Sequence, residues 1–144
     1  GLGAVSVLVR SHQELVPAII DGLWKHGQIV VEEFLRGREV QVAVVKGLRG
    51  QDFYTSMPVE GARAHTRWHN DEKSEMTRVA RNAFRASGAR GYAMLDMVLG
   101  RRGVVVRGVD THPSLAEISP RRVGLAATGV TPREFFHHLI FSAS

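Results

Sequence analysis

Gly91-Tyr-Ala-Met-Leu-Asp-Met-Val-Leu-Gly-Arg-Arg-Gly-Val-Val-Val-Arg-Gly-Val-Asp110 is the stretch that decides the fold. An apolar run from Gly91 to Leu99 is followed by Gly100-Arg-Arg-Gly103, and a second apolar run returns from Val104 to Val109. Two β-rich runs on either side of a short glycine-bounded turn form a hairpin, and a hairpin is antiparallel. Asp96 interrupts the first run between Leu95 and Met97. A carboxylate inside an apolar strand requires a partner or a metal. Asp110, at the end of the second run, opens an Asp-Thr-His-Pro turn, a context that Asp favours on its own account.

Upstream of this hairpin, Met76, Val79, Ala80, Ala83 and Phe84 form one apolar stripe, which predicts a helix from Asp71 to about Ser87, stopped by Gly88. Pro58 to Asn70 has no period and reads as a loop. Further upstream, Gln28-Ile-Val-Val-Glu-Glu-Phe-Leu35 and Glu39-Val-Gln-Val-Ala-Val-Val45 read as a second hairpin. Arg36-Gly37-Arg38 would be its tight turn, with glycine free to take positive φ. Lys46 to Gln51 is another turn, and Phe53 to Met57 a third strand. At the amino end, Val5, Val7 and Val9 suggest a short strand. Ser11-His-Gln-Glu14 is a capping box for a helix carrying Leu15, Ile19, Ile20 and Leu23, ended by Gly27; Pro17 falls in its first turns. Downstream, a loop from Asp110 to Ser119 leads to a short helix, Pro120 to Ala127. Thr131-Pro-Arg-Glu134 is a second capping box, opening a last helix with Phe135, Phe136, Leu139 and Ile140. Two hairpins separated by helices argue an α+β fold, an antiparallel sheet with packed helices, over residues 1–144 as a single domain or fragment.

Composition narrows the function. The chain has 144 residues, a formal net charge of +5, 44% hydrophobic and 23% charged residues, and no cysteine. That excludes a disordered tail, a disulfide scaffold, a thiolate metal site and a cysteine nucleophile. No apolar run reaches the length of a membrane span, and the first residues lack the pattern of a signal peptide. The chain opens on Gly1 rather than Met and reads as part of a longer protein. Sixteen of the nineteen basic residues are arginine, scattered from Arg10 to Arg133 with no interleaved aromatics, so a solvated surface fits better than a nucleic-acid face. His65 and His69 stand four apart, and His137 and His138 are adjacent, but neither pair has a third ligand at zinc spacing. No serine sits in a nucleophile elbow.

Three stretches together resemble the C-terminal part of the ATP-grasp ligases, within them the D-alanine–D-alanine ligases. Val30-Val-Glu-Glu-Phe-Leu-Arg-Gly-Arg-Glu-Val40 is similar to the family's hydrophobic-acid-x-aromatic-Leu-x-Gly-x-Glu segment. Ser87 to Leu99 is similar to its glycine and metal-aspartate strand. Val104 to Pro113, with Gly129-Val-Thr-Pro-Arg-Glu-Phe135, is similar to its returning strand, proline loop and terminal helix. The resemblance covers most of the chain and is weakest from Leu48 to Asn70. It implies an ATP-dependent carboxylate–amine ligase working through an acyl phosphate, with ATP and Mg²⁺ as cofactors. It further implies a small amino-acid substrate such as D-alanine, a cytoplasmic role in making a peptidoglycan precursor, and a homodimer formed through the parent chain.

By position, the resemblance assigns adenine to Glu32 and the backbone of Glu33, Phe34 and Leu35, the ribose hydroxyls to Glu39, and magnesium to Asp96 and Asp110. Such a site needs hard oxygen ligands, because metal ions must neutralise a polyphosphate before a carboxylate can attack it. The chain also departs from the pattern. Gly108 stands where the family has a metal-bridging Glu, Met94 where it has an Arg facing the phosphates, and Ser114 where it has a glycine. Of the Gly-rich phosphate loop, only Gly1-Leu-Gly-Ala-Val-Ser6 remains. Arg107 neighbours Gly108, but strand alternation points it to the opposite face. The fragment alone is expected to be inactive. The alternative is a degenerate ATP-grasp protein, a nucleotide-binding or interaction module.

Overall fold

The computed structural model describes residues 6–61, 63–64, 67–113 and 120–142. The chain divides into two compact units, the first ending at Leu35 and the second beginning at Arg36.

The first unit is built on helix α1, His12–His26. The Ser11 hydroxyl accepts the Glu14 N–H at 3.3 Å, as the capping box requires. The Glu14 carboxylate accepts the N–H of Arg10 at 2.9 Å, one residue before the cap. Gly27 closes the helix in the left-handed region (φ 75°), where a side chain would be strained. Ile29 packs onto Gly22, whose missing Cβ leaves it room. Two expected strands are absent here. Residues 6–10 run without strand structure and Val7 is 72% exposed, while Val5 lies outside the described residues. Residues 28–35 are irregular too, with Val30 and Phe34 exposed.

The second unit explains why the first expected hairpin does not form. Its strands are β1 Arg38–Lys46, β2 Phe53–Thr55, β3 Val59–Glu60, β4 Arg63–Ala64, β5 Tyr92–Gly100 and β6 Gly103–Asp110. The sheet order is β4-β3-β1-β5-β6, with β2 beside β3 on the same edge of β1. Every pairing is antiparallel. One edge of β1 is paired with β5 from Arg38 to Val45, and the other with β3 at Gln41 and with β2 from Val44 to Lys46. No edge is left for residues 28–35. Gly37 is likewise needed for a reason other than positive φ: a Cβ there would run into the Leu99 carbonyl oxygen.

The β5–β6 hairpin matches expectation, with Gly100 paired to Gly103. Helix α2, Asn70–Ala86, lies on one face of the sheet. Met76, Ala80 and Phe84 pack there against Val40, Val42 and Val44 of β1 and Ala93, Leu95 and Met97 of β5. Phe53 meets the Phe84 ring edge-on at 5.6 Å between centroids. Within the Pro58–Asn70 segment, expected as a loop, β3 and β4 form, and Trp68 is buried, its indole N–H donating to the Pro58 carbonyl at 3.1 Å. The Arg38 guanidinium lies 3.8 Å over that ring and donates to Glu60. Its pKa is raised, first by the Glu60 hydrogen bond.

The opposite face carries a second core at one end. There Val45, Tyr54, Leu48, Leu125, Val130 and Phe135 pack together with α3, Pro120–Ala127, and α4, Pro132–Ser142. Gly124 lets α3 reach the chain between β2 and β3, where Met57 N–H donates to its carbonyl. The second capping box is present, since Glu134 N–H donates to the Thr131 hydroxyl at 3.1 Å and Thr131 N–H to the Glu134 carboxylate at 3.4 Å. Phe136, Ile140 and Phe141 of α4 remain exposed. Among the described residues no helix is long and apolar enough to cross a membrane.

Candidate functional site

Beyond that core, the second face carries the polar residues. Residues opposite one another in an antiparallel pair share a face, and alternate positions along a strand return to it. Val40, Val42 and Val44 point at α2, so Glu39 and Gln41 point the other way. Gln41 is paired with Asp96, Asp96 with Gly108, and Met94 with Asp110. Glu39, Gln41, Met94, Asp96, Gly108 and Asp110 therefore share one face.

Three contacts set the chemistry of this face. The Gln41 side-chain amide donates to Asp96 Oδ1 at 2.6 Å, so the strand carboxylate has the partner its position demands. The Asp96 Oδ2 oxygen looks toward Gly108, 3.9 Å from where a Cβ would stand. Asp110 Oδ1 accepts the His112 N–H at 2.9 Å, the turn-forming contact of an Asp in this setting.

The third contact reverses an expectation. Met97 pairs with Val106 and Asp96 with Gly108, which leaves Arg107 as an extra residue in β6. Val104 and Val106 pack toward α2, so alternation carries Arg107 to the other face, and the bulge brings Gly108 and Asp110 to that face after it. Instead of the opposite face, Arg107 joins the face of Asp96, where its Nη1 lies 2.8 Å from Glu39 Oε1. β5 lies between β6 and β1, so the arginine spans it. Glu39, Gln41, Asp96, Arg107 and Gly61 line a hollow of about 320 Å³.

The residues fit a magnesium ion that arrives on a polyphosphate. Such an ion keeps several waters and takes only one or two protein carboxylates. Asp96 keeps an oxygen on the Gly108 side, and Asp110 stands on the same face. A protein-only cage is a different matter: among the described residues no group of three or more His, Cys, Asp or Glu is placed to hold a metal.

Glu32, Glu33, Phe34 and Leu35 belong to the first unit, and Glu39, Asp96 and Asp110 to the second. The first three are exposed and Leu35 is half-buried. Gly1 to Val5, where the resemblance leads one to expect a phosphate loop, and Ser114 lie outside the described residues. A larger open hollow of about 610 Å³ lies between Leu48, Arg49 and α4. Arg49 there donates to both Glu134 oxygens, at 2.6 and 2.9 Å, and to the Thr128 and Gly129 carbonyls. These contacts tie α4 to the turn after β1 and present no free acid.

No protein-family model matches the chain. The D-alanine–D-alanine ligase of Kineococcus radiotolerans is 29% identical over 158 residues, covering 92% of this chain and 42% of that one. The structure of the D-alanine–D-alanine ligase from Coxiella burnetii superposes with a TM-score of 0.77 at 21% identity, covering 95% of this chain and 40% of that one. The Bacillus anthracis D-alanine–D-alanine ligase, crystallised with ATP, gives 0.76 at 16% identity, covering 94% and 47%. The chain has a D-alanine–D-alanine ligase-like ATP-grasp fold. It spans less than half the length of each of these ligases.

Within the D-alanine–D-alanine ligase-like fold, Gly108 and Met94 sit on the candidate site face itself, and Met94 is only 7% exposed. Two residues of the site were missed by sequence reasoning. Gln41 was legible, since the alternation at Val40, Val42 and Val44 leaves it beside Glu39. Arg107 was misplaced because its face was counted from Gly108, across the bulge, rather than from Val104 and Val106.

Proposed function

We propose that this chain is the ATP- and magnesium-handling part of a carboxylate–amine ligase similar to D-alanine–D-alanine ligase. The reading is supported by one observation above all. Glu39, Asp96 and Asp110, far apart in sequence, share one face of the sheet beside the second core.

In this reading Asp96 and Asp110 hold the magnesium, which when bound offsets the phosphate charge that would otherwise repel an incoming carboxylate. Gln41 fixes Asp96 in one orientation through Oδ1 and leaves Oδ2 for the ion. Glu39 accepts the ribose hydroxyls after exchanging its contact with Arg107. Glu32 and the backbone of Glu33, Phe34 and Leu35 take the adenine edge. That segment belongs to no sheet ladder, so its backbone is not committed to strand pairing. The substrate is a small amino acid, D-alanine in the first instance, and the setting a cytoplasmic step toward a peptidoglycan precursor in a homodimeric parent protein.

The test is release of phosphate from ATP by the whole protein, with and without D-alanine. D-alanine should stimulate release, and Asp96→Asn should lower it by on the order of 10²-fold or more, the usual cost of losing one electrostatic contact to transition-state charge. Release indifferent to both would contradict the reading.

Gly108 and Met94 favour a second reading, a degenerate ATP-grasp module that binds nucleotide without turning it over. Two electrostatic groups are missing at positions facing the site. In that case the double variant Gly108→Glu, Met94→Arg gains ligase activity that the native protein lacks.

A further inference from the structure

We propose that Arg107 is the residue through which this chain grips the phosphates of a bound nucleotide, a role that rests on the nucleotide-binding reading above. Val104 and Val106 pack toward α2, so alternation turns Arg107 to the face of Asp96. The bulge between Asp96/Met97 and Val106/Gly108 then puts Gly108, which has no side chain, on that same face opposite Asp96. The Arg107 side chain crosses β5 and its guanidinium stands in the hollow shared by Glu39, Gln41 and Asp96. That hollow, about 320 Å³, is at the low end of the range for small-molecule sites.

Charge gives the second argument. A bridging carboxylate with its divalent cation would carry net +1 at this place. Arginine at 107 followed by glycine at 108 carries the same +1 without the second metal. The guanidinium is also the side chain best matched to phosphate, offering parallel N–H donors in a rigid fork. Its present partner does not hold it firmly. The Arg107 side chain is 55% and Glu39 75% exposed, and ion pairs so exposed to water contribute little. A polyphosphate with several charges displaces one carboxylate readily. The exchange has a further consequence, because Glu39 is then released to accept hydroxyls from the same ligand. Arg107 and Glu39 thus act as a pair that is closed on itself without nucleotide and opened by it.

The experiment is calorimetric titration of ATP and of AMP into the whole native protein and its Arg107→Ala and Arg107→Lys variants, each with magnesium and with EDTA. The native protein should bind ATP in both conditions, more weakly in EDTA. Arg107→Ala should lose on the order of tenfold or more in ATP affinity, as for a charge-assisted hydrogen bond. It should lose the magnesium-independent binding altogether, and Arg107→Lys should restore part of it. AMP affinity should not fall, since AMP lacks the polyphosphate. Equal losses for ATP and AMP would overturn the proposal, and so would an unchanged ATP affinity; either result leaves the nucleotide-binding reading standing. A native protein that binds neither ligand overturns both.

Discussion

Arg107 and Glu39 meet at 2.8 Å across an intervening strand, although they are 68 positions apart and their strands are not neighbours. Arg107 faces that way because Val104 and Val106 alternate toward α2, and the extra residue in β6 adds Gly108 to its face. The energetic weight of the contact is small, as both side chains are more than half exposed. Glu39→Gln should therefore change the unfolding free energy by less than about 1 kcal/mol. The same variant should weaken ATP binding, since the ribose loses its carboxylate. A urea titration beside a binding titration separates the two, and a large loss of stability would show that the pair is structural.

Gly108 faces Asp96 with room for a side chain. A Cβ there would stand 3.9 Å from Asp96 Oδ2, an ordinary contact distance. Gly108→Glu should place a second carboxylate beside the first. Without metal, like charges on paired strands should cost up to about 1 kcal/mol. Magnesium should then raise the melting temperature of the variant more than that of the native protein, because ion binding to the folded state stabilises it. Equal responses in a thermal melt would refute the shared face.

Acid should loosen the clamp on α4. The Glu134 carboxyl is held below its ordinary value of 4.5, first by the hydrogen bonds from Arg49. A carboxyl with a lowered pKa contributes stability that is complete above the ordinary value and is lost as pH falls through the folded one. Glu134→Gln should be less stable than the native protein near neutral pH, and the two should converge as pH drops below about 4.5. Urea midpoints across that range give the answer. Parallel curves would contradict the assignment.

Phe84 is 1% exposed at the centre of the α2 core, edge-on to Phe53. Phe84→Ala should cost about 3–5 kcal/mol, the usual cost of removing a buried aromatic ring. Ile140→Ala on the exposed side of α4 should cost well under 1 kcal/mol, within about the range of surface substitutions. Denaturation of the two variants compares a packed position with an unpacked one in the same unit.

What could be read without coordinates was the short-range part. The β5–β6 hairpin, the span of α2 and the Thr131–Glu134 capping box depend on neighbours a few residues apart, and all three are present. The pairing of β1 was misread because a local pattern cannot say which strand will claim an edge. Gln28–Leu35 is near in sequence, yet β5 takes the edge with Asp96 lying 55 positions from Gln41. The site divided the same way. Asp96 announced itself as a carboxylate in an apolar run, but its shared face with Asp110 could not be read from the hairpin: counted from the Gly100–Gly103 turn, Asp110 falls opposite Ala93 on the α2 face, and the bulge moves it opposite Met94. The face taken by Gly108 and Asp110 required the count of residues on both strands, since one extra residue reverses a side chain's face.

The account stands on the face formed by Asp96 and Asp110. Calorimetric titration of ATP into the whole native protein and into its Asp96→Asn variant, with and without magnesium, tests it most directly. Magnesium should strengthen ATP binding to the native protein, and the variant should lose that strengthening. Binding of ATP that is indifferent to both magnesium and Asp96, or no binding at millimolar ATP, would contradict it.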